Sequence, residues 1–195
     1  PRIYEKIYAK LHQYADTLPT AKKKIFYWAL HIGNEVVKLQ QEGKPIPLPM
    51  KLMKKIANKV IFDKVKNDRF GGNLKFFVSG SAPLAPDIAR FFEACGLIIL
   101  EGYGLTETTA ASFINRPDHN KIGTVGKALP YVEVKIASDG EILLRGPAVL
   151  KSYFKNESAT KEVFTSDGWF MTGDIGILDK DGFLKITDRK KDLII

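Results

Sequence analysis

The sequence predicts an α/β protein made of a basic helical segment, a strand–helix–strand unit with a parallel-type sheet, and a small antiparallel β sheet or barrel. Residues 1–73 repeat apolar side chains at the three- and four-residue spacing of helices, and prolines interrupt the pattern. Residues 74–125 contain two short apolar runs with one helical pattern between them. In residues 126–195, short apolar runs alternate with Ser-Asp-Gly and Lys-Asp-Gly turns. We therefore predict three parts with these bounds.

The first part is predicted to hold three helices, over residues 2–16, 21–41 and 50–67. A proline-rich connector at 43–49 separates the second helix from the third, and the glycines at 71–72 end the third. The predicted role of this segment is to pack on the sheet. The alternative is that its basic, amphipathic helices lie on a membrane surface and receive a lipid substrate there.

The second part begins with a predicted buried strand at 74–79. A helix over 86–94 carries its apolar residues on one face, and a second buried strand follows at 97–100. A strand–helix–strand unit is most economically parallel and right-handed. The helix is therefore expected to cover one face of the sheet.

The third part contains shorter elements. A helix is expected at 158–164, with Ser158 as its cap. Closely spaced strands joined by Asp-Gly turns are typical of an antiparallel sheet. These strands are predicted at 131–136, 141–145, 176–178 and 183–187.

The net charge of +8 is concentrated in the first third of the chain. Residues 1–70 hold 15 Lys and Arg against 6 Asp and Glu, a net charge of +9. Residues 71–195 hold 15 against 16, a net charge of −1. Such an asymmetry is typical of proteins with an anionic partner such as lipid headgroups, polyphosphate or nucleic acid. A solvated helical face explains the same charges without a partner.

Composition also bounds the compartment. The single cysteine, Cys95, excludes an internal disulfide framework, fits a reducing compartment, and is expected in the core. No run of 18 apolar residues exists, so no span is predicted, and a cytoplasmic location with peripheral contact at the inner membrane face is expected. Because the chain starts at Pro1 and stops in a strand-like run, we expect a piece of a larger protein.

The most informative stretch is Glu-Gly-Tyr-Gly-Leu-Thr-Glu-Thr at 101–108. It follows the second apolar run, and Gly102 and Gly104 bracket Tyr103, so a sharp turn and a close approach to a ligand are predicted. Hydroxyl and carboxylate side chains follow the turn. A strand that ends this way favours a ligand site at the carboxyl edge of a sheet. A tight turn with a polar cap explains the stretch equally well when it is taken alone.

Three further motifs accompany it: Ser-Gly-Ser-Ala-Pro-Leu at 79–84, Thr-Gly-Asp at 172–174 and Asp-Arg-Lys-Lys-Asp at 188–192. In this order and spacing they resemble the adenylate-forming (AMP-binding) superfamily of acyl-CoA synthetases, luciferases and peptide-synthetase adenylation domains. The wording is most similar to long-chain fatty acid–CoA ligases. The resemblance covers at least residues 74–195 and extends more weakly to the start of the chain.

The resemblance implies a ligase reaction in two halves. A long-chain fatty acid carboxylate first attacks the α-phosphate of ATP, in the presence of Mg²⁺, to give an acyl-adenylate and pyrophosphate. The thiol of coenzyme A then attacks the adenylate to give a thioester and AMP. Transfers of this kind depend mainly on positioning and on charge stabilisation.

The resemblance assigns the small residues of the 79–84 motif to the nucleotide site. Small side chains and a rigid proline let a flat base lie against the backbone, so this segment would border the adenine. Read without the family, the segment is an ordinary turn. The residues concerned are Gly80, Ser81, Ala82 and Pro83.

The 101–108 motif would supply the reacting centre. Tyr103 would stack on adenine, and Gly102, with Gly104 nearby, would leave room for the nucleotide and the acyl carboxylate. Thr106 would donate to the α-phosphate, and Glu107 would hold Mg²⁺ through a hard carboxylate oxygen. Thr106 and Glu107 are the predicted catalytic residues, although Glu107 taken alone resembles a surface ion-pair residue.

The last two motifs would complete the nucleotide site. Asp174 would accept hydrogen bonds from the ribose hydroxyls, as acidic residues do in dinucleotide folds. Arg189 would place a guanidinium near the ribose and phosphate. Lys191 matches the position about which the family's C-terminal domain rotates. No stretch supplies that domain's lysine or the family's phosphate loop, so we expect this piece to be inactive by itself.

Other functions compete with this one. A medium-chain, aryl or peptide-synthetase substrate would keep the same chemistry. A non-catalytic basic module that binds lipid or membrane would use the helical segment instead. Nucleic-acid binding, suggested by Tyr27 and Trp28 near the lysines at 22–24, is not favoured. The scattered histidines, at 12, 31 and 119, lack metal-ligand spacing.

Overall fold

The computed structural model describes residues 1–190. Those residues divide into two compact units, of which the first is Pro1–Ile99 and the second begins at Leu100. The division falls within a single strand. The three parts that the sequence predicts, with bounds at residues 73 and 125, were drawn from motifs and remain a prediction.

The first unit is mainly helical, as predicted. The predicted helix over 50–67 is helical throughout, but a π-helical turn at Asn58–Phe62, which was not predicted, lies between α3 and α4. The left-handed Gly71, with φ +69°, ends α4 where the glycines were expected to end it. The helices are α1 (Arg2–Asp16), α2 (Thr20–Gln41), α3 (Leu48–Ala57), α4 (Asp63–Phe70) and α5 (Pro86–Ala94).

Helix α2 is the centre of the first unit because it packs against both α3 and α5. At Gly33 the two backbones come so close that a Cβ atom placed on this glycine would lie 2.8 Å from the Cβ atom of Ala94. Phe91 and Phe92 on α5 are buried, and their rings meet edge to face. The apolar face predicted for this helix is thus confirmed.

Cys95, directly after α5, is buried, which confirms its predicted place in the core. Burial raises the pKa of its thiol to about 12, and the neighbouring Lys54 opposes that rise. Lys54 donates a hydrogen bond to the carbonyl oxygen of Ala94, and burial lowers the pKa of this lysine. The thiol is therefore protonated and unreactive at neutral pH.

Strand β1 (Phe76–Ser79) is shorter and more exposed than the sequence predicts. The prediction of a buried strand was wrong, since Phe76 is 41% exposed and Val78 is 56% exposed. The alternate residues Phe77 and Ser79 face inward, and Phe77 meets the ring of Tyr4 from α1 edge to face. The alternation of side chains between the two faces of the strand, and not the apolarity of the whole run, therefore decides which side chains are buried.

Strand β2 (Ile98–Tyr103) runs three residues beyond its predicted end at 100. It continues because Gly102 and Tyr103 pair antiparallel with β3 (Phe113–Ile114), which in turn pairs with β4 (Lys127–Ala128). The sheet has the order β1-β2-β3-β4, and the succession β1, α5, β2 gives the predicted strand–helix–strand unit. The sequence patterns missed β3 and β4, which are two residues each.

The second sheet is antiparallel, as predicted, with the order β5-β6-β7-β8. Its third strand starts six residues earlier than expected and so takes in the Thr-Gly-Asp motif. Helix α6 (Glu157–Glu162) is capped by Asn156, whose side chain accepts from Ala159, and not by Ser158. The strands are β5 (Glu133–Ile136), β6 (Glu141–Arg145), β7 (Phe170–Leu178) and β8 (Leu184–Arg189).

One apolar core joins the two sheets within the second unit. Tyr103 and Phe113 from the first sheet pack with side chains from the second, and the backbone of Leu184 exchanges hydrogen bonds with Val125 and Gly126. The fully buried members from the second sheet are Ile142, Leu144 and Leu184. This core fixes the end of β2 against β7 and β8. None of the helices within residues 1–190 is long and apolar enough to cross a bilayer.

Candidate active site

The two glycines of the 101–108 motif serve close packing and not a turn, which corrects the prediction. Gly102 lies within β2, where a Cβ atom would stand 3.2 Å from the carbonyl oxygen of Phe113. At Gly104 a Cβ atom would lie only 1.6 Å from the carbonyl oxygen of Ala110. Neither glycine has a positive φ. Glycine is required at Gly104 because two backbone segments touch there, and at Gly102 a side chain would be tightly packed.

The chain turns after Gly104 in a single 3₁₀ turn, Thr106–Thr108. The hydroxyl of the buried Thr108 accepts a hydrogen bond from the N–H of Leu105 at 2.9 Å, which fixes the entry to the turn. Thr109 and Ala110 follow with φ of +55° and +78°, a left-handed conformation that costs free energy in residues with a side chain. Thr106 stays exposed at the start of this turn.

Glu107 is half-buried and held at two points. The hydroxyl of Tyr153 donates to its Oε1 at 2.9 Å, and the N–H of Leu150 donates to its backbone carbonyl at 2.7 Å. Partial burial and then the bond to Glu107 raise the pKa of Tyr153. The Glu107 carboxylate is therefore oriented by the protein and is not a mobile surface group.

Asp174 lies inside β7, upstream of the strand predicted at 176–178, and is 7% exposed. The hydroxyl of Tyr103 donates to its Oδ2 at 2.6 Å. Burial, followed by this bond, raises the pKa of Tyr103 well above its ordinary value. Tyr103 is therefore a neutral donor at any physiological pH. The two residues, 71 positions apart in sequence, form one buried unit.

Arg189 faces Asp174 across the sheet, because the two residues are paired in the register of β7 and β8. Its Nε atom lies 3.3 Å from Oδ1 of Asp174, and its side chain remains 63% exposed. Because the arginine is largely exposed to solvent, this ion pair contributes little to stability. It does place the guanidinium beside the carboxylate, and the predicted contact of Arg189 with the ribose and phosphate remains a prediction.

The backbone before Asp174 is shaped by groups that the motifs did not identify. Gly173 has a φ of +71°, and its N–H donates to Oε1 of the buried Glu141 at 2.8 Å. The other oxygen of Glu141 lies 2.6 Å from Nζ of Lys190. The N–H of Asp174 donates to the hydroxyl of Thr172 at 3.1 Å. Thr172 and Glu141 thus hold the backbone that carries the Asp174 carboxylate, and Lys190 holds Glu141.

Sequence reasoning missed Tyr153, Glu141 and Lys190 as parts of this site. Glu141 opens a strand directly after an Asp-Gly turn, where an acid is ordinary, and Lys190 lies inside the last motif. Tyr153 lies in a loop with no recognisable pattern. These contacts join segments far apart in the chain, which short motifs do not register.

The 79–84 motif belongs to the first unit, and its residues 80–83 are exposed between the buried Ser79 and Leu84. Ser81 has a φ of +65°, so this segment holds a serine in the left-handed region. The hydroxyl of the buried Ser79 has no hydrogen-bond partner among residues 1–190. The predicted contact of Gly80, Ser81, Ala82 and Pro83 with adenine remains a prediction.

Lys191, the predicted hinge, lies outside the described residues. Within residues 1–190, no group of three or more His, Cys, Asp or Glu side chains could hold a metal ion. A single oriented carboxylate such as Glu107 nevertheless fits Mg²⁺, which commonly takes one or two carboxylates and completes its shell with water and substrate phosphates.

The chain matches the family model described as AMP-binding enzyme over residues 7–154. It is 41% identical over its whole length to long-chain-fatty-acid–CoA ligase FadD15 of Mycobacterium bovis, of which it spans 32%. It is 37% identical to long chain acyl-CoA synthetase 3 of Arabidopsis thaliana, with 99% of this chain and 30% of that protein covered. The chain thus spans about a third of the length of these relatives.

Solved structures give the same assignment. Apo MatB from Rhodopseudomonas palustris superposes with a TM-score of 0.61 at 34% identity, over 72% of this chain and 30% of that one. O-succinylbenzoate coenzyme A synthetase (MenE) from Bacillus subtilis, in complex with ATP and magnesium ion, superposes with a TM-score of 0.56 at 37% identity, over 62% and 27%. The predicted fold class and resemblance are confirmed, and the chain belongs to the AMP-binding enzyme family of adenylate-forming acyl-CoA ligases.

Proposed function

We propose that this chain is a segment of an ATP-dependent long-chain fatty acid–CoA ligase. The reaction would join a fatty acid to coenzyme A through an acyl-adenylate and release AMP and pyrophosphate. The observation that carries the proposal is the buried pair of Tyr103 and Asp174 with Arg189 at its edge. It holds a carboxyl group and a guanidinium side by side, in a family whose relatives are named as acyl-CoA ligases.

The substrate class comes from the relatives. The mycobacterial and plant relatives are named for long-chain fatty acids or long acyl chains, and the match extends over the basic helical segment of this chain. MatB and MenE match less of this chain, and both lack a long-chain name. The match over the whole chain to relatives with long-chain names supports a long-chain acid over the medium-chain, aryl and peptide-synthetase alternatives.

Asp174 would bind the nucleotide ribose. Each carboxylate oxygen has two lone pairs, so Oδ1 and Oδ2 retain acceptor capacity beyond their contacts with Arg189 and Tyr103. Because Tyr103 is held neutral, its hydroxyl donates to Asp174 permanently and fixes the carboxylate plane. Asp174 and Arg189 would bind the substrate, and Tyr103 would position Asp174. The stacking of Tyr103 on adenine remains a prediction, and the residue is 9% exposed.

Thr106 and Glu107 would face the phosphates. The exposed hydroxyl of Thr106 can donate to a phosphate oxygen, and Tyr153 holds the carboxylate of Glu107 in one orientation. Glu107 would hold Mg²⁺, which supplies charge neutralisation of the phosphates when bound. The protein's own contribution is to orient donors and acceptors before the substrates arrive, which lowers the cost of alignment.

Pyrophosphate release by the full-length protein tests this function over carboxylic acids of increasing chain length. We expect release to peak with long chains. Asp174→Ala should lower kcat/KM by at least about 100-fold, because it removes hydrogen bonds from a charged acceptor. At a saturating concentration of carboxylic acid, Glu107→Gln should also lower kcat/KM. Glu162→Gln, which makes the same change at an exposed residue of α6, should leave kcat/KM unchanged.

The other outcomes separate the alternatives. Release that peaks with aryl or amino acids would retain the adenylation chemistry and reject the long-chain substrate. A folded protein that releases no pyrophosphate with any acid would reject the enzyme proposal. We further propose that this segment alone is inactive, which the same assay on the 195-residue chain checks directly.

A further inference from the structure

Helix α3 and the π-helical turn after it present a row of exposed apolar side chains. Leu48 is 80% exposed, Leu52 61%, Ile56 47% and Val60 40%. Their constant spacing of four residues places them along one ridge of the helix surface. Isolated exposed apolar residues are ordinary, but a continuous row of them indicates a contact surface.

Three exposed lysines accompany this row. Lys51, Lys55 and Lys59 follow the same four-residue spacing, each directly before Leu52, Ile56 or Val60. None of these lysines forms an ion pair with another of the residues 1–190. We call this combination of apolar row and lysine row the α3 face. It lies in the part of the sequence with a net charge of +9.

The α3 face continues into a groove of about 430 Å³ at Val60. The groove lies between α1, the start of α2, and α4, and its lining is mainly aliphatic and aromatic. Its polar lining residues include Lys22, Lys64 and Arg69 against a single acid, Asp68. The apolar surface and the excess of positive charge therefore extend beyond one helix.

We propose that the α3 face docks the protein on an anionic lipid bilayer surface. A helix that lies in the membrane interface buries one apolar row among the acyl chains while its lysines reach the headgroups. The three lysines would remain hydrated and would meet negative charge at the same time. A protein partner over the same face would have to supply an acid for each lysine, or would pay to desolvate it. The charge pattern thus favours lipid over a protein surface.

Binding of the full-length protein to vesicles tests the proposal. ATP and the fatty acid are left out, so that catalysis does not contribute. We expect binding to vesicles with phosphatidylglycerol and much weaker binding to phosphatidylcholine alone. Lys51→Gln/Lys55→Gln/Lys59→Gln should weaken binding by about 100-fold, since each lysine near an anionic surface contributes about a factor of five. Leu52→Asp should weaken it by at least about tenfold.

Matched controls come from the second unit. Lys161→Gln/Lys180→Gln/Lys185→Gln removes the same charge from exposed lysines, and Phe154→Asp places an acid at an apolar residue that is 88% exposed. Both controls should bind vesicles like the parent. Equal losses in the controls would mean that net charge or general apolarity drives binding, which overturns the proposal.

Two further results would also overturn it. Leu52→Cys in the full-length protein should react rapidly with a water-soluble maleimide without vesicles and slowly with anionic vesicles. Slow labelling in both conditions would show that another part of the protein covers the face. Concentration-dependent dimers that Leu52→Asp abolishes would assign the face to a second copy of the chain. Circular dichroism of each variant should match the parent, so that loss of binding is not loss of fold.

Discussion

The two units of this chain distribute polarity in opposite ways. Every buried polar side chain among residues 1–190, apart from Ser79, belongs to the unit that begins at Leu100. The large exposed apolar side chains lie mostly in Pro1–Ile99, and between residues 100 and 190 only Tyr131, Phe154 and Ile177 belong to this group. The second unit thus buries polar side chains, whereas the first unit exposes apolar side chains on its surface. This difference is the one expected if the proposed nucleotide site lies in the second unit and the proposed docking surface in the first.

The largest expected effect tests how closely the second unit is packed. Gly104→Ala would place a Cβ atom 1.6 Å from the carbonyl oxygen of Ala110, so backbone must move. We expect the free energy of unfolding to fall by about 3 kcal/mol or more. Gly168→Ala is the control, because Gly168 has a φ of +83° and open space around it. It should cost about 1–2 kcal/mol in urea unfolding. Equal costs would show that the contact at Gly104 is relieved elsewhere.

The corresponding close contact in the first unit is between helices. Gly33→Ala brings two Cβ atoms to 2.8 Å, although alanine favours the helix over glycine by about 1 kcal/mol. We expect a net loss of about 1–2 kcal/mol in thermal or urea unfolding. Gly33→Ala/Ala94→Gly should recover most of that loss, since it removes the opposing methyl group. A stabilised Gly33→Ala protein would mean that α2 and α5 separate easily.

The buried tyrosine gives a pH-dependent difference. The folded pKa of Tyr103 is raised above the unfolded value of about 10, so the folded state holds the phenolic proton more tightly. Its stabilising contribution is complete below pH 10 and is lost as the pH rises above it, by about 1.4 kcal/mol per pH unit. Between pH 9 and 11 the parent should therefore lose more stability than Tyr103→Phe. Parallel curves for the two proteins would contradict burial of this hydroxyl.

The smallest effect is expected on the α3 face. Leu52→Ser removes a side chain that is 61% exposed, so the free energy of unfolding should change by less than about 0.5 kcal/mol. Leu144→Ser, at a fully buried position of the second unit, is the comparison and should cost several kcal/mol. If Leu52→Ser were equally costly in the full-length protein, the leucine would be a core residue there and the contrast between the units would fail.

The sequence predicted those features that depend on local periodicity. Helices α1, α2 and α5 have residues whose spacing already sorts them into buried and exposed faces. Strand β6 was found as a short apolar run next to an Asp-Gly turn. The strands β3 and β4 are two residues long, too short to show a period. The π-helical turn within the third predicted helix leaves the hydrophobic pattern intact and so was not visible.

The site was predictable only in part. Short motifs identified Tyr103, Asp174 and Arg189, but not that the tyrosine hydroxyl binds the aspartate or that both lie in strands. The two glycines around Tyr103 suggested a turn because a glycine that permits a close backbone contact looks the same in sequence as one that turns the chain. Tyr153 and Glu141 act through contacts between distant segments, which one sequence alone does not reveal.

The hydrogen bond between Tyr103 and Asp174 also has a consequence for biosynthesis. The donor leaves the ribosome 71 residues before its acceptor, which at ordinary translation rates is a delay of between about 4 and 14 s. The helices of the first unit need only near neighbours and can form during that interval. The phenol of Tyr103 must wait in water, or against a chaperone, until the strand that carries Asp174 arrives. Slowed synthesis between these two codons should therefore lower the yield of native protein more than a pause earlier in the message.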